Sequence, residues 1–210
     1  MSIDAYVHKA IGTGAGKPLL FLFHGTGADE NQLLQLGSQV LPGAGLVSPR
    51  GDVSEFGAAR FFRRTGEGVY DMGDLDRAIA KMAGFVRGHV EAAKPSAVFG
   101  MGYSNGANIL ASVLFAEPGL FDGAVLMHPL IPFDPQIAGE FAGKRILITA
   151  GHHDPICPPN MTSRLAAQLR GKGADVTLEW HEGAHEIRPN EVEAARRFLA
   201  SGTVSREKHK

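Results

Sequence analysis

Along the chain, unbroken apolar runs alternate with segments in which apolar side chains recur every three to four positions. "PLLFLFH" (18–24), "GLVS" (45–48), "AVFGMGY" (97–103), "GAVLMH" (123–128) and "RILITAG" (145–151) are almost wholly apolar. Short runs of this kind predict strands covered on both faces, as in a parallel sheet. "DVTLEW" (175–180) alternates instead, with Val176, Leu178 and Trp180 on one face, and predicts an edge strand. Leu75, Ile79, Met82, Val86 and Val90 trace the stripe of a helix that stops before Pro95. "NILASVLFAEP" (108–118), "NMTSRLAAQLRGKG" (160–173) and "EVEAARRFLA" (191–200) predict three more helices, and a further one is expected to begin near Asp29.

Strands and helices in regular alternation predict an α/β fold, a three-layer α/β/α sandwich around a mostly parallel central sheet. With no internal repeat and no linker, residues 1–210 read as one domain, with a frayed, solvated tail over about 203–210 that ends in "SREKHK". Residues 49–73, "PRGDVSEFGAARFFRRTGEGVYDMG", break the rhythm. They read as a long connection rich in glycine, arginine and phenylalanine, and loops of that length are often functional.

Composition narrows compartment and partners. A chain of 210 residues can bury a substantial core. A net charge of −1 without a long basic run argues against nucleic acid. The single cysteine, Cys157, forbids an intramolecular disulfide and fits a reducing compartment. "MSIDAYVHKAIG" at the N-terminus lacks the basic and apolar regions of a signal peptide. No apolar run approaches the roughly 20 residues that cross a bilayer. The expectation is a soluble, cytoplasmic protein with no membrane span.

Against that background, "GYSNG" (102–106) matches G-x-S-x-G. Three fixed residues are weak alone, but an apolar strand enters this match and a helix leaves it, the setting of a nucleophile elbow. Gly102 and Gly106 supply the small residues so tight a turn requires, and Ser104 is the candidate nucleophile. An acid and then a histidine should follow in chain order. Asp154, in "GHHDPICPP" after one strand, and His185, in "EGAHEI" after the next, satisfy that order. All three fall at carboxyl ends of strands, where parallel sheets bind ligands. "HGTGADE" (24–30) follows the first central strand. By analogy its Thr26 N–H, together with the N–H of Asn105 after the serine, forms an oxyanion hole.

In the order and spacing of "FHGTGADE", "GYSNGAN", "GHHDPICPP" and "GAHEI", residues 23–187, the sequence resembles the α/β-hydrolase superfamily. More narrowly it is similar to the phospholipase/carboxylesterase family, which includes acyl-protein thioesterases. "RFFRR" followed by "GEGVYD" resembles a bacterial branch of that family with esterases linked to hydroquinone stress. The resemblance implies a serine hydrolase of carboxylic esters or thioesters with no cofactor and no metal. It also implies a small ester or thioester as the molecule bound and a homodimer as the candidate assembly. Ser104 would attack the carbonyl, His185 would serve as general base and acid, and Asp154 would orient the imidazole. Asn105 stands where the thioesterases often carry glutamine, and Thr26 where they often carry leucine. The connection "PLIPFDPQIAGEFAGKR" (129–145) is short where lipases commonly insert a lid, which points to small or single-chain esters.

Phe61, Phe62, Arg63 and Ile156 are candidate pocket residues. The phenylalanines read as the wall of an acyl pocket, with packing of the long loop onto the sheet as the alternative. Arg63 and Arg64 fit an acidic substrate group or plain surface positions. Cys157 reads as buried and inert. "GTGAGK" (12–17) fails as a phosphate loop, because Ile11 and Pro18 replace required residues and it precedes a strand. "HEGAH" (181–185) matches the H-E-x-x-H of zinc peptidases, which needs both histidines on one face of a helix. Here Trp180 ends a period-2 strand and Gly183 interrupts the match, so His181 reads as a strand-end residue and Glu182 as a bystander. A zinc peptidase through His181, Glu182 and His185 is the lesser alternative, beside a non-catalytic binding protein on a hydrolase fold.

Overall fold

The apolar runs become the strands of one sheet. In the computed structural model, which describes residues 2–204, the chain enters through strand β1 (His8–Ile11), β2 (Leu19–Phe23), helix α1 (Leu34–Val40) and β3 (Gly45–Pro49). Four short strands follow: β4 (Val53–Glu55), β5 (Ala58–Arg60), β6 (Arg64–Gly66) and β7 (Val69–Tyr70). Then come α2 (Met72–Ala93), β8 (Val98–Tyr103), α3 (Asn105–Ala116), β9 (Gly123–Met127) and β10 (Arg145–Gly151). The chain continues through α4 (Pro159–Gly171), β11 (Asp175–His181) and α5 (Pro189–Val204). Seven strands pair in the order β1-β3-β2-β8-β9-β10-β11. Every ladder of that sheet is parallel except that of β1 with β3.

Residues along β2 show why the run had to be continuous. Leu19, Phe21 and Phe23 pack into one core and Leu20 and Leu22 into another, because successive side chains leave opposite faces. The first core is closed by α2, α3 and α4 through residues such as Met82, Leu110 and Leu169. The second is closed by α1 and α5 through Val40 and Leu199. Each fully buried Leu or Phe contributes about 1.5–3 kcal/mol relative to exposure. This is the three-layer α/β/α architecture that the alternation predicted. Among the described residues no helix is long and apolar enough to cross a membrane.

Edges and ends depart from the expectation in instructive ways. β11 is an edge strand as its alternation required, but β1, with three exposed residues of four, carries no apolar signal and is held by its ladder to β3. α1 starts at Leu34, not near Asp29, because the Asp29 carboxylate accepts from Asn31 N–H and closes a turn there. α3 begins at Asn105 and α5 runs over Pro189–Val204, both longer than predicted. The tail expected to fray from about 203 therefore begins as helix, and residues 205–210 lie outside the described residues. Segment 49–73 is not one irregular connection but two antiparallel hairpins, β4–β5 and β6–β7. Asp71 then caps α2, its side chain accepting from Asp74 N–H at 3.1 Å.

After β2 the chain goes to β3 on one side, then crosses to β8 on the other. Loops after β2 and β8 therefore face each other across the switch point where such sheets bind ligands. α3 begins hard against β2: a Cβ on Gly106 would come within 3.0 Å of the Phe23 and His24 carbonyls, and one on Gly102 would do the same to Gly106. Gly106→Ala must push the helix off β2. We expect it to lower stability by at least the ~1–3 kcal/mol of an overpacked core, read from urea midpoints; an unchanged midpoint would contradict this packing.

Candidate active site

Four strands deliver the site at their carboxyl ends. Ser104 stands between β8 and α3 with φ 53° and ψ −117°, a left-handed backbone that a non-glycine residue holds only when its surroundings enforce it. His185, after β11, places Nε2 2.9 Å from Ser104 Oγ. Its Nδ1 lies 2.7 Å from Oδ2 of Asp154, which follows β10. The Asp154 Oδ1 accepts from the N–H groups of Ile156 and Cys157, each at 2.9 Å. Burial would raise the pKa of this carboxyl, but the donors from Cys157, His128, His185 and Ile156 outweigh it and hold the group below the usual carboxylate range. A hydroxyl, an imidazole and a buried carboxylate thus form one hydrogen-bonded line able to move a proton off the serine.

Thr26 and Asn105 flank Ser104 in the same cleft, whose volume is about 310 Å³. Asn105 is the first residue of α3, so the helix leaves its N–H without an intrahelical partner. Its side chain acts elsewhere, with Oδ1 accepting from Phe61 N–H at 2.9 Å. Thr26 Oγ1 accepts from the Arg60 guanidinium at 2.7 Å. His24 completes these ties, its Nε2 accepting from Gly51 N–H at 2.9 Å and its Nδ1 lying 2.7 Å from Gly25 O. Buried and so held in its neutral form, it pins the loop after β2 to the hairpin segment.

The pocket residues fall out differently from the expectation. Ile156 lines the cleft and is 43% exposed. Phe61 and Phe62 do not: both are 0% exposed, Phe61 packed on Phe23 and His24, Phe62 on Tyr70. They are the apolar anchors that hold the hairpins on the sheet, the alternative weighed for them. Arg63 points away from the cleft and pairs with Asp71 and Asp74. Arg60 and Arg64 line it instead, with Tyr70 and Asn108. Arg60 ends β5 and Arg64 begins β6, so the hairpins, invisible to a loop reading, decide which arginines face inward.

"HEGAH" is not helical: His181 ends β11 and residues 182–185 are bends. His181 is buried and Glu182 is exposed at the surface. Two polar residues in no motif sit behind the triad, His128 at the end of β9 and Glu191 in the first turn of α5, both fully buried. Their one signal was position, since His128 ends a strand at the edge where the other site residues lie. His128, His181 and Glu191 converge as metal ligands would, as do His128, Asp154 and His185. In the first group the Glu191 oxygens already accept from Thr149 and Arg188. In the second the Asp154 oxygens already accept from two backbone amides and face two imidazoles. These are the contacts of a proton-bearing network.

Sheet, switch point and this edge define an α/β-hydrolase of esterase type. Residues 72–187 match the dienelactone hydrolase family, and the chain belongs to that family. It is 37% identical over 193 residues to the Bacillus subtilis (strain 168) protein MhqD, spanning 91% of this chain and 96% of that protein. The Agrobacterium tumefaciens str. C58 protein Atu2452, of unknown function, is similar at 56% identity with a TM-score of 0.91, over 96% of this chain and 98% of that one. A Bacillus cereus carboxylesterase is similar at 37% identity with a TM-score of 0.88, over 94% of each chain.

Core packing of Phe62 carries its own expectation. Phe62→Ala should lower stability by about 3–5 kcal/mol in denaturant unfolding. At temperatures where the variant is folded, KM for a small ester should stay within about twofold of the parent; a large KM change with little loss of stability would return Phe62 to the pocket wall.

Proposed function

We propose that the chain hydrolyses small carboxylic esters or thioesters through an acyl-enzyme on Ser104. The observation that carries this reading is the unbroken line from Ser104 Oγ through His185 to Asp154, opening on the cleft. His185 Nε2 takes the serine proton as Oγ attacks the carbonyl carbon. Asp154, ionised in its set of donors, holds Nδ1–H and offsets the positive imidazole that results. The N–H groups of Thr26 and Asn105 then receive the oxyanion. The leaving alcohol or thiol departs with the proton from His185, and water, activated by the same imidazole, releases the acid and restores the serine.

Cleft size supports small acyl groups. About 310 Å³ at the low end of ligand sites leaves little room for a long chain. Arg60 and Arg64 make its far wall polar. A binding protein on a hydrolase fold would have no use for a strained serine aligned with an imidazole, so the enzyme reading is favoured.

A fluorophosphonate probe should label Ser104, and a panel of esters and thioesters should show turnover that favours short acyl chains. Ser104→Ala should lower kcat by roughly 10⁴-fold or more without changing the unfolding free energy by more than ~1 kcal/mol. Absence of both labelling and turnover would sink the reading, and a preference for the longest chains would overturn the small-substrate part of it.

A further inference from the structure

Behind Asp154 runs a chain of buried polar groups that the hydrolytic steps leave unused. Asp154 Oδ2 faces two imidazoles, His185 Nδ1 at 2.7 Å and His128 Nδ1 at 2.9 Å. The other nitrogen of His128, Nε2, lies 3.1 Å from Glu191 Oε1 in a bent contact. Glu191 Oε1 also accepts from the Thr149 hydroxyl at 2.5 Å, and Oε2 accepts from Arg188 N–H at 2.6 Å. His181 Nε2 approaches Oε2 to 3.2 Å. His181 Nδ1 accepts from Gly183 N–H at 2.9 Å, which leaves Nε2 as the nitrogen nearest Glu191, in a contact too bent for a hydrogen bond.

Counting donors assigns the charges. Glu191 accepts from a hydroxyl and a backbone N–H, which favours the carboxylate; burial would raise its pKa, but His128, Thr149 and the Arg188 N–H hold it down. Asp154 is met by two backbone N–H groups and by His185. Both nitrogens of His128 therefore face carboxylate oxygens, and a neutral imidazole has a proton for only one of them. An unprotonated nitrogen would leave a lone pair against an anion in a site with 0% exposure. Burial opposes the charge, but the two carboxylates outweigh it and raise the pKa of His128.

We propose that His128 is a charged positioning residue, an imidazolium clamped between Asp154 and Glu191 that holds Asp154 in line with His185. This rests on the proposed role of the triad. The His128 and His185 rings are 5.1 Å apart. Both imidazoles face the same Asp154 oxygen, so the charge on His128 acts directly on the line from Ser104 to Asp154. The other groups facing His128 are Tyr103 from β8, His181 from β11, and Cys157, whose Sγ lies 3.2 Å from the His128 carbonyl. Burial pushes the Tyr103 and Cys157 pKa values up, to about 12 for Tyr103, so both stay neutral.

Nitrogen NMR on the whole protein tests the charge without requiring activity. His128 should show two protonated ring nitrogens at neutral pH; one protonated nitrogen there overturns the proposal. Kinetics test the consequence. His128→Asn suits the left-handed backbone at φ 52° and keeps a neutral donor toward Asp154. It should move the acid limb of kcat/KM to higher pH by about one unit. A limb that stays in place, whatever happens to kcat, marks a purely structural role and overturns the proposal. Should that variant fail to fold, the NMR result on the wild-type protein decides the charge by itself. If the wild-type protein neither labels with fluorophosphonate nor turns over esters, the hydrolase reading fails by itself, and the NMR result still decides the clamp.

Discussion

A carboxylate taken out of water must be met on every side, and Asp154 is such a group. Its needs organise the site edge of the molecule. One oxygen takes two amides of its own loop, the other faces an imidazole on each side. The inner imidazole then requires an anion of its own, which α5 supplies as Glu191, and Glu191 in turn draws on β10, β11 and the loop before its own helix. Groups from β9, β10, β11 and α5 are thereby fixed in relation to one another through hydrogen bonds rather than packing alone. Removing any one partner would strand a charge or a donor in a dry interior.

The opposite wall of the cleft is held by different means. Hairpins β4–β5 and β6–β7 have little regular structure to stabilise them alone, since isolated two-stranded ribbons are marginal in water. They are nailed down by the rings of Phe61 and Phe62 and tied by directed bonds: Phe61 N–H to Asn105, Gly51 N–H to His24, Arg63 N–H to Asp74. Two of those acceptors belong to the loops that flank Ser104. The segment that shapes the cleft is thus in register with the residues that would react in it, and Arg60 and Arg64 are presented from a surface with little freedom to shift.

How far the sequence could be read follows from which forces act locally. Strands buried on both faces announce themselves because every residue must be apolar, and Gly102 and Gly106 mark the elbow because no side chain fits there. Chain order and strand ends were enough to pick Ser104, Asp154 and His185, which the fold brings within hydrogen-bond reach. β1 was illegible because its stability comes from a neighbour, not from its own residues. The placing of Phe61 and Phe62 failed for a related reason: a phenylalanine in a pocket wall and one in a core look alike until the hairpins on either side of them are known. His128 and Glu191 were silent because a buried ion pair is a meeting of elements far apart in the chain, and nothing in either local stretch encodes the other.

The position of Glu191 in the first turn of α5 has a consequence for how the protein is made. Synthesis delivers the loop after β2 and then Ser104 early, Asp154 later, and only afterwards His185 and Glu191. A nascent chain that has emerged as far as β10 carries the serine but neither the imidazole that would activate it nor the anion that steadies the carboxylate. Under the proposed mechanism such a chain is inert. Reactivity arrives only with the docking of the last strand and helix, so the chain cannot display a competent nucleophile before its sheet is complete.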